Sequence, residues 1–355
     1  MYLHNLFRRN TRSATILGAV ARTVLVLVVA AGMTAGTADA QRKAGRTGAA
    51  FLEVGVGARA TALGSAASSI YGDANQFFWN PAGTALNADQ TVDVSLSYNK
   101  WIADLDHYSA AIGYNMSGVG TLTLGITSFG VSGIAANRQN GYADPILQAL
   151  ETDEATSATY DYMDLAIGLS YSRYIIDRLS LGATIKMINE SIDDQSASAV
   201  GFDFGSIYHV GVGGWVISSR ISNIGSDLTF YNQGNPLPLA YSIGTAFYPV
   251  NTEQARLMLS VDATKPQDSR QQIIGGAEVS LYDLLFIRGG MKFNYSGSND
   301  GGTSERTAIN TTVEKFSVGA GIQYAVSGYN IAVDYAYTGM DLFDNVHQVT
   351  LRFGK

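Results

Sequence analysis

The chain of 355 residues contains no cysteine. That absence removes disulfide frameworks, thiolate metal sites and cysteine nucleophiles together, and it suits a protein that crosses an oxidising compartment without staples. Proline is scarce, with six residues, and 15% of residues are charged. Beyond the first 40 residues no run of 18 uncharged apolar residues occurs, which excludes a helical membrane protein. Histidine is also rare: His4, His107, His209 and His347 lie far apart, with no spacing that gathers nitrogen ligands on a metal. No Gly-x-Ser-x-Gly elbow or comparable nucleophile arrangement is present, so no enzymatic machinery is expected.

What is abundant is apolar and small. Residues of apolar or aromatic type make up 46% of the chain, with 39 Gly, 20 Tyr and 14 Phe. This mixture points to many strands joined by tight turns rather than to helix bundles. The N-terminus has the three parts of a secretory signal: Arg8, Arg9 and Arg12, an apolar stretch running to Ala31, and the small-x-small site Ala38-Asp39-Ala40. A mature chain beginning at Gln41 is expected. A membrane anchor is the competing reading, and Arg22 interrupts its run. The presequence carries four basic residues and one acid, so a chain of net charge −7 becomes about −10 on maturation, which argues against nucleic acid as a partner.

From Thr91 onward apolar residues alternate with small polar ones. Val92, Val94, Leu96 and Tyr98 point one way, with Asp93, Ser95 and Ser97 between them, and the pattern recurs to the end of the chain. It predicts fourteen strands, near 91–98, 107–114, 121–129, 161–172, 179–189, 200–208, 213–222, 239–248, 256–263, 271–281, 285–293, 316–324, 329–338 and 346–353. Connections alternate in length, and the long ones, 130–160, 190–199, 223–238 and 294–315, are rich in Asp, Asn, Gly and Ser. The expected fold is an all-β membrane protein, a 14-stranded antiparallel outer-membrane β-barrel with both termini in the periplasm. Tyr and Trp near strand ends, including Tyr98, Trp101, Tyr171, Tyr174, Trp215, Tyr248, Tyr335 and Tyr337, suit aromatic girdles. A soluble sandwich or propeller with the apolar face turned inward is the competitor.

Residues 48–88 do not alternate. Rich in Ala and Gly, they suggest short helices and turns that pack inside a lumen, giving a division into signal peptide (1–40), hatch (41–90) and barrel (91–355). Within the hatch, Gly55-x-Gly57-x-x-Ala60 formally matches a dinucleotide fingerprint, but no βαβ unit surrounds it, and a structural role is expected. Asp104 with Asp106, and Asp193 with Asp194, are acidic pairs that external loops commonly leave solvated. No cofactor is expected. The inward face is more informative. A three-residue turn at 282–284 sets Glu278 directly opposite Arg288, with Lys292 on the same face, and Lys186, Asp203 and Asp334 share that face. Bracing of barrel and hatch is preferred here to a conducting role.

The run from Phe51 to Gly64, which contains Gly55, Gly57 and Arg59, followed by Asp73 and by Asn80-Pro81-Ala82-Gly83, resembles the opening of the PorV/PorQ family of outer-membrane proteins. Weaker matches follow at Lys186, Phe202-Asp203-Phe204-Gly205, Gly276-Ala277-Glu278, Ile287-Arg288 and Val333-Asp334-Tyr335. The resemblance implies a barrel similar to the long-chain fatty-acid transporters, with the N-terminal segment as hatch. It also implies a role in type IX secretion, with a large translocon barrel and the C-terminal signal domains of cargo as partners besides outer-membrane lipid. On that basis the chain is expected to be a secretion-system subunit that contacts cargo through loops 130–160 and 294–315. The alternatives are a channel for small hydrophobic molecules and a purely structural barrel.

Overall fold

The structure is a computed structural model that describes residues 47–86, 90–136, 159–269, 271–294, 314–341 and 343–355. The expected signal peptide, and most of loops 130–160 and 294–315, lie outside the described residues. Among the described residues there are sixteen strands: β1 Val92–Lys100, β2 Asp106–Met116, β3 Gly120–Ala135, β4 Thr159–Ile176, β5 Leu179–Ile192, β6 Gln195–His209, β7 Val216–Gly225, β8 Leu228–Phe230, β9 Gln233–Asn235, β10 Ala240–Asn251, β11 Ala255–Pro266, β12 Gln272–Leu281, β13 Leu285–Asn294, β14 Glu314–Val326, β15 Tyr329–Met340 and β16 Val346–Gly354. Fourteen of them close into an antiparallel barrel, while β8 and β9 form a separate hairpin. Closure runs between β1 and β16, from Asp93 opposite Gly354 to Lys100 opposite His347. With no open edge, every strand finds hydrogen-bonding neighbours without water.

The alternation of the sequence is laid down inside out relative to a soluble sandwich. Leu96, Leu124 and Ile185 are 51%, 47% and 48% exposed, while Ser95, Thr123 and Thr184 are 2%, 0% and 3% exposed. An apolar exterior around a polar interior is stable only where lipid is the outer solvent, so this is an outer-membrane barrel. Short turns such as Ser327-Gly328, both with positive φ, join strands at the end where β1 begins and β16 finishes. That end faces the periplasm. Exposed rings gather near both ends of the wall: Tyr98, Tyr108, Phe293 and Phe316 towards the outer end, and Tyr114, Tyr171, Phe247 and Phe353 towards the periplasmic one. These are the belts in which an amphipathic ring bridges lipid and water.

Several expectations are corrected. Residues 190–199 are not a loop: β5 and β6 extend to a two-residue turn at Asp193-Asp194, with Asp193 at φ 55. Residues 223–238 do not stand free outside. Their β8–β9 hairpin carries Leu228 and, just after it, Leu237 into a buried cluster with Phe51, Phe129 and Ile188, and Pro236 O accepts from Gly48 N at 3.0 Å. Trp101 and Tyr248 leave the girdles and pack against buried clusters inside the lumen.

Candidate functional site

The lumen is filled by residues 47–86. After a 3-10 turn at Ala50–Glu53 come a short helix, α1 (Ala58–Ala62), and 3-10 turns at Ala74–Phe78 and Pro81–Thr84. Small side chains let this segment approach the wall at backbone distance. A Cβ on Gly182 would lie 2.3 Å from the Pro81 carbonyl carbon, one on Gly205 would lie 1.9 Å from Asn80 Oδ1, and one on Gly290 would lie 2.0 Å from the Leu63 carbonyl carbon. Asn80 and Pro81 begin their turn in the usual division of labour: Asn80 Oδ1 accepts from Ala82 N at 3.1 Å, and Pro81 sits where a free N–H would be orphaned. Asn80 Nδ2 also donates to Ser68 O at 2.8 Å, tying two parts of the hatch together. Gly57, at φ +87, turns the chain into α1, whose first N–H (Ala58) donates to Thr350 Oγ1 at 2.7 Å. Gly55 O accepts from Gln348 Nε2 at 3.4 Å. Both glycines of the fingerprint-like motif therefore serve hatch-to-wall contacts.

Hatch and wall share a closed ring of six charges. Arg59 grips Glu278 with two prongs, Nε to Oε2 and Nη2 to Oε1, each 2.9 Å. Glu278 accepts from Arg288 Nε at 2.6 Å, and Arg288 Nη1 reaches Asp334 Oδ1 at 2.6 Å. Asp334 Oδ2 meets Arg352 Nε at 3.3 Å. Arg352 and Arg59 both approach Asp73 Oδ2, at 3.7 Å each, which closes the circuit. Signs alternate, so each charge has two opposite neighbours and the net charge is zero. Burying a lone ion costs several kcal/mol, and the pairing offsets that cost only while every member is present. The free space beside the ring is about 10 Å³, at the lower limit for one water molecule. The geometry is that of a brace.

Elsewhere the hatch is held by hydroxyls and single carboxylates. Asp262 accepts from Ser68 N at 2.9 Å and from Ser68 Oγ at 2.8 Å, and Ser218 Oγ lies 2.9 Å from Oγ of both Ser68 and Ser69. Asp93 accepts from Ala74 N at 2.6 Å. On the opposite wall Lys186 Nζ contacts Asp203 Oδ2 at 2.9 Å and Asn223 Oδ1 at 2.5 Å. A bulge between β6 and β7 brings these groups together: Asn223, at φ 64, donates its N–H to Asp203 Oδ1 at 2.7 Å.

Between hatch and wall, on the outer side, lies a cavity of about 330 Å³. Hatch rings Phe51, Phe77, Phe78 and Trp79 form one part of its lining, and Lys186, Asp203, Arg220 and Lys292 belong to another. Lys292 is paired with Glu314 at 2.5 Å. Arg220 donates to the Trp79 carbonyl and, at 3.3 Å, to Ser242 Oγ, and its guanidinium lies 5.8 Å from the Trp79 ring centre. Glu53 of the hatch also lines the cavity; partial burial, with Asp268 beside it, lifts its carboxyl to about 7, and Lys292 opposes the shift.

The structure thus places the sequence-derived residues in two groups. Arg59, Glu278, Arg288 and Asp334 meet in the ring, and Lys186 and Asp203 pair at the cavity. Gly55, Gly57, Asn80 and Pro81 serve the contacts of the hatch with itself and the wall. Sequence reasoning did not single out Arg220, Asp262 or Asp93, or the roles of Asp73 and Arg352. Strand parity alone points Asp93, Arg220, Asp262 and Arg352 inward, whereas nothing in the sequence says which strand each faces across the lumen.

Comparison with solved structures agrees with this architecture. The CymD monoaromatic hydrocarbon channel superposes with a TM-score of 0.52 at 11% identity, over 85% of this chain and 97% of that one. The Ralstonia pickettii toluene transporter TbuX gives 0.52 at 12% identity, over 84% and 97%. A TodX monoaromatic hydrocarbon channel variant gives 0.51 at 12% identity, over 84% and 98%. At these identities the likeness concerns the fold alone, which is that of an outer-membrane barrel similar to these hydrocarbon channels and transporters. No family model matches the chain, and no curated protein sequence matches it. The expected place in type IX secretion is corrected by these findings: the barrels this one resembles are described as hydrocarbon channels and transporters, and no match supports PorV/PorQ membership.

Proposed function

We propose that this protein is a non-enzymatic outer-membrane channel for small hydrophobic molecules, closed in the present state by its hatch. The observation that carries the reading is the cavity of about 330 Å³ set against hatch rings Phe51, Phe77, Phe78 and Trp79. Its size matches the lower end of small-molecule sites, and its aromatic side gives a water-excluding surface to a ligand of a few carbon atoms. The shared fold with hydrocarbon channels supports the same reading. Outer-membrane lipid is the partner of the apolar exterior.

Uptake of radiolabelled toluene by cells that carry this chain as their hydrocarbon channel, against cells that lack it, tests the proposal. A saturable increase in the initial rate is expected at low toluene concentration. Equal rates in the two strains, with the barrel present and folded in the outer membrane, would refute it.

A further inference from the structure

On the periplasmic side the hatch leaves a second pocket, of about 530 Å³, lined by Tyr71, Leu86, Arg173, Tyr174, Asp177 and His209 among others. Three rings converge on it. Tyr71 and His209 meet edge to face with centres 4.5 Å apart, and Tyr174 lies 6.1 Å from His209. Their polar atoms are unused: His209 Nε2 is buried without a hydrogen-bond partner, and among the described residues neither tyrosine hydroxyl has a protein partner. Buried polar atoms are usually satisfied, so the unpartnered His209 Nε2, with two tyrosine hydroxyls beside it around a single aromatic pocket, points to a guest that supplies the missing bond.

The pocket is connected to the outer cavity by apolar packing. Trp79, which lines the outer cavity, belongs to a buried cluster with Ile70, Ile207, Val216 and Met258, and Tyr71, which lines the inner pocket, packs against that same cluster. Among the described residues the ion pairs that bind hatch to wall lie elsewhere, at Glu278 of β12 and Arg352 of β16. An apolar guest that parts the cluster exchanges mainly apolar contacts and loosens one hydrogen bond, from Arg220 to the Trp79 carbonyl, whereas parting the ring would strand several buried charges.

We propose that Tyr71, Tyr174 and His209 form a second ligand site at the periplasmic mouth. It takes an aromatic ring bearing one hydrogen-bonding group and is reached from the outer cavity across the apolar contact at Ile70 and Trp79. The proposal rests on the channel reading and adds to it a site and a ligand class.

The test is calorimetric titration of the purified full-length mature protein in detergent with 4-methylphenol, and with toluene as the probe that lacks a hydroxyl. The wild type binds 4-methylphenol at two sites. His209→Ala and Tyr174→Phe each weaken one of the two by about tenfold, the worth of a buried hydrogen bond, and leave toluene binding in the outer cavity unchanged. Tyr174→Phe keeps the ring and serves where His209→Ala fails to fold, and heat-modifiable gel migration verifies the barrel in each variant. Saturation of 4-methylphenol at a single site, or two sites that neither variant alters, would overturn the periplasmic site. If wild-type cells take up toluene while the variants bind 4-methylphenol unchanged, the second site falls alone. If the wild type neither binds nor takes up either probe, the channel reading itself falls.

Discussion

Arg59 and Glu278 join hatch to wall through two parallel contacts of 2.9 Å each. A planar guanidinium facing a carboxylate in this way fixes orientation as well as distance, which a lysine ammonium would not do. Because Glu278 also accepts from Arg288, the hatch is coupled through one carboxylate to the rest of the ring. The Arg59→Ala and Glu278→Ala variants, with their double variant, are predicted to show a coupling energy of about 1–3 kcal/mol in denaturant unfolding. Additive effects would mean that the contact contributes nothing to docking.

Removing the centre of the ring is predicted to be more costly. Arg288→Ala leaves Glu278 and Asp334 buried with a missing partner each, a change worth about 3–5 kcal/mol. Loss of heat-modifiable migration at a lower temperature than for the wild type, together with faster proteolysis of the hatch, is the expected outcome. Unchanged migration would count against a bracing role.

The wall glycines make a second mechanical prediction. Gly182→Val places side-chain atoms where the Pro81 backbone now lies, 2.3 Å from the position of a Cβ. Overpacking of this kind costs about 1–3 kcal/mol, and the strain falls on the hatch because the β-strand itself tolerates valine. Single-channel conductance in planar bilayers is expected to rise as the hatch is displaced while the barrel remains intact.

Glu53 gives hatch docking a pH dependence with a definite sign. Its folded-state value, about 7, lies above the ordinary 4.5, so the docked hatch holds a proton that the undocked one releases. Docking is therefore favoured at low pH and weakened as pH rises from about 4.5 through 7. Binding of toluene in the cavity is expected to be tighter at pH 6 than at pH 8, because a neutral carboxyl costs less to desolvate. Glu53→Gln should flatten that difference, and isothermal titration at the two pH values reads it directly.

Much of the wall was legible in the sequence because a period of two is a local property. The turn at 282–284 set the register of its hairpin, so the pairing of Glu278 with Arg288 followed from counting. The hairpin at 228–235 did not follow, since its three-residue strands are too short to show a period and its fate depends on Phe51 and Ile188, distant in sequence. The Asp193-Asp194 turn was missed because Glu190, Ser191 and Gln195 look like loop composition, although a strand rising beyond the lipid needs no apolar face. The ring was half visible: parity turned Glu278, Arg288 and Asp334 inward, and the β15–β16 pairing sets Arg352 diagonally beside Asp334, but only the placement of the hatch brings Arg59 and Asp73 to them.

The most direct test of a hatch-gated channel for hydrophobes is a reversible lock on the apolar side of the lumen. Ser69 Oγ and Ser218 Oγ are 2.9 Å apart across the hatch–wall contact, and the chain has no cysteine to confuse the result. Toluene uptake by cells carrying the Ser69→Cys/Ser218→Cys double variant is predicted to stop on oxidation and to return on reduction. Uptake that continues at the wild-type rate with the cross-link formed would contradict the account.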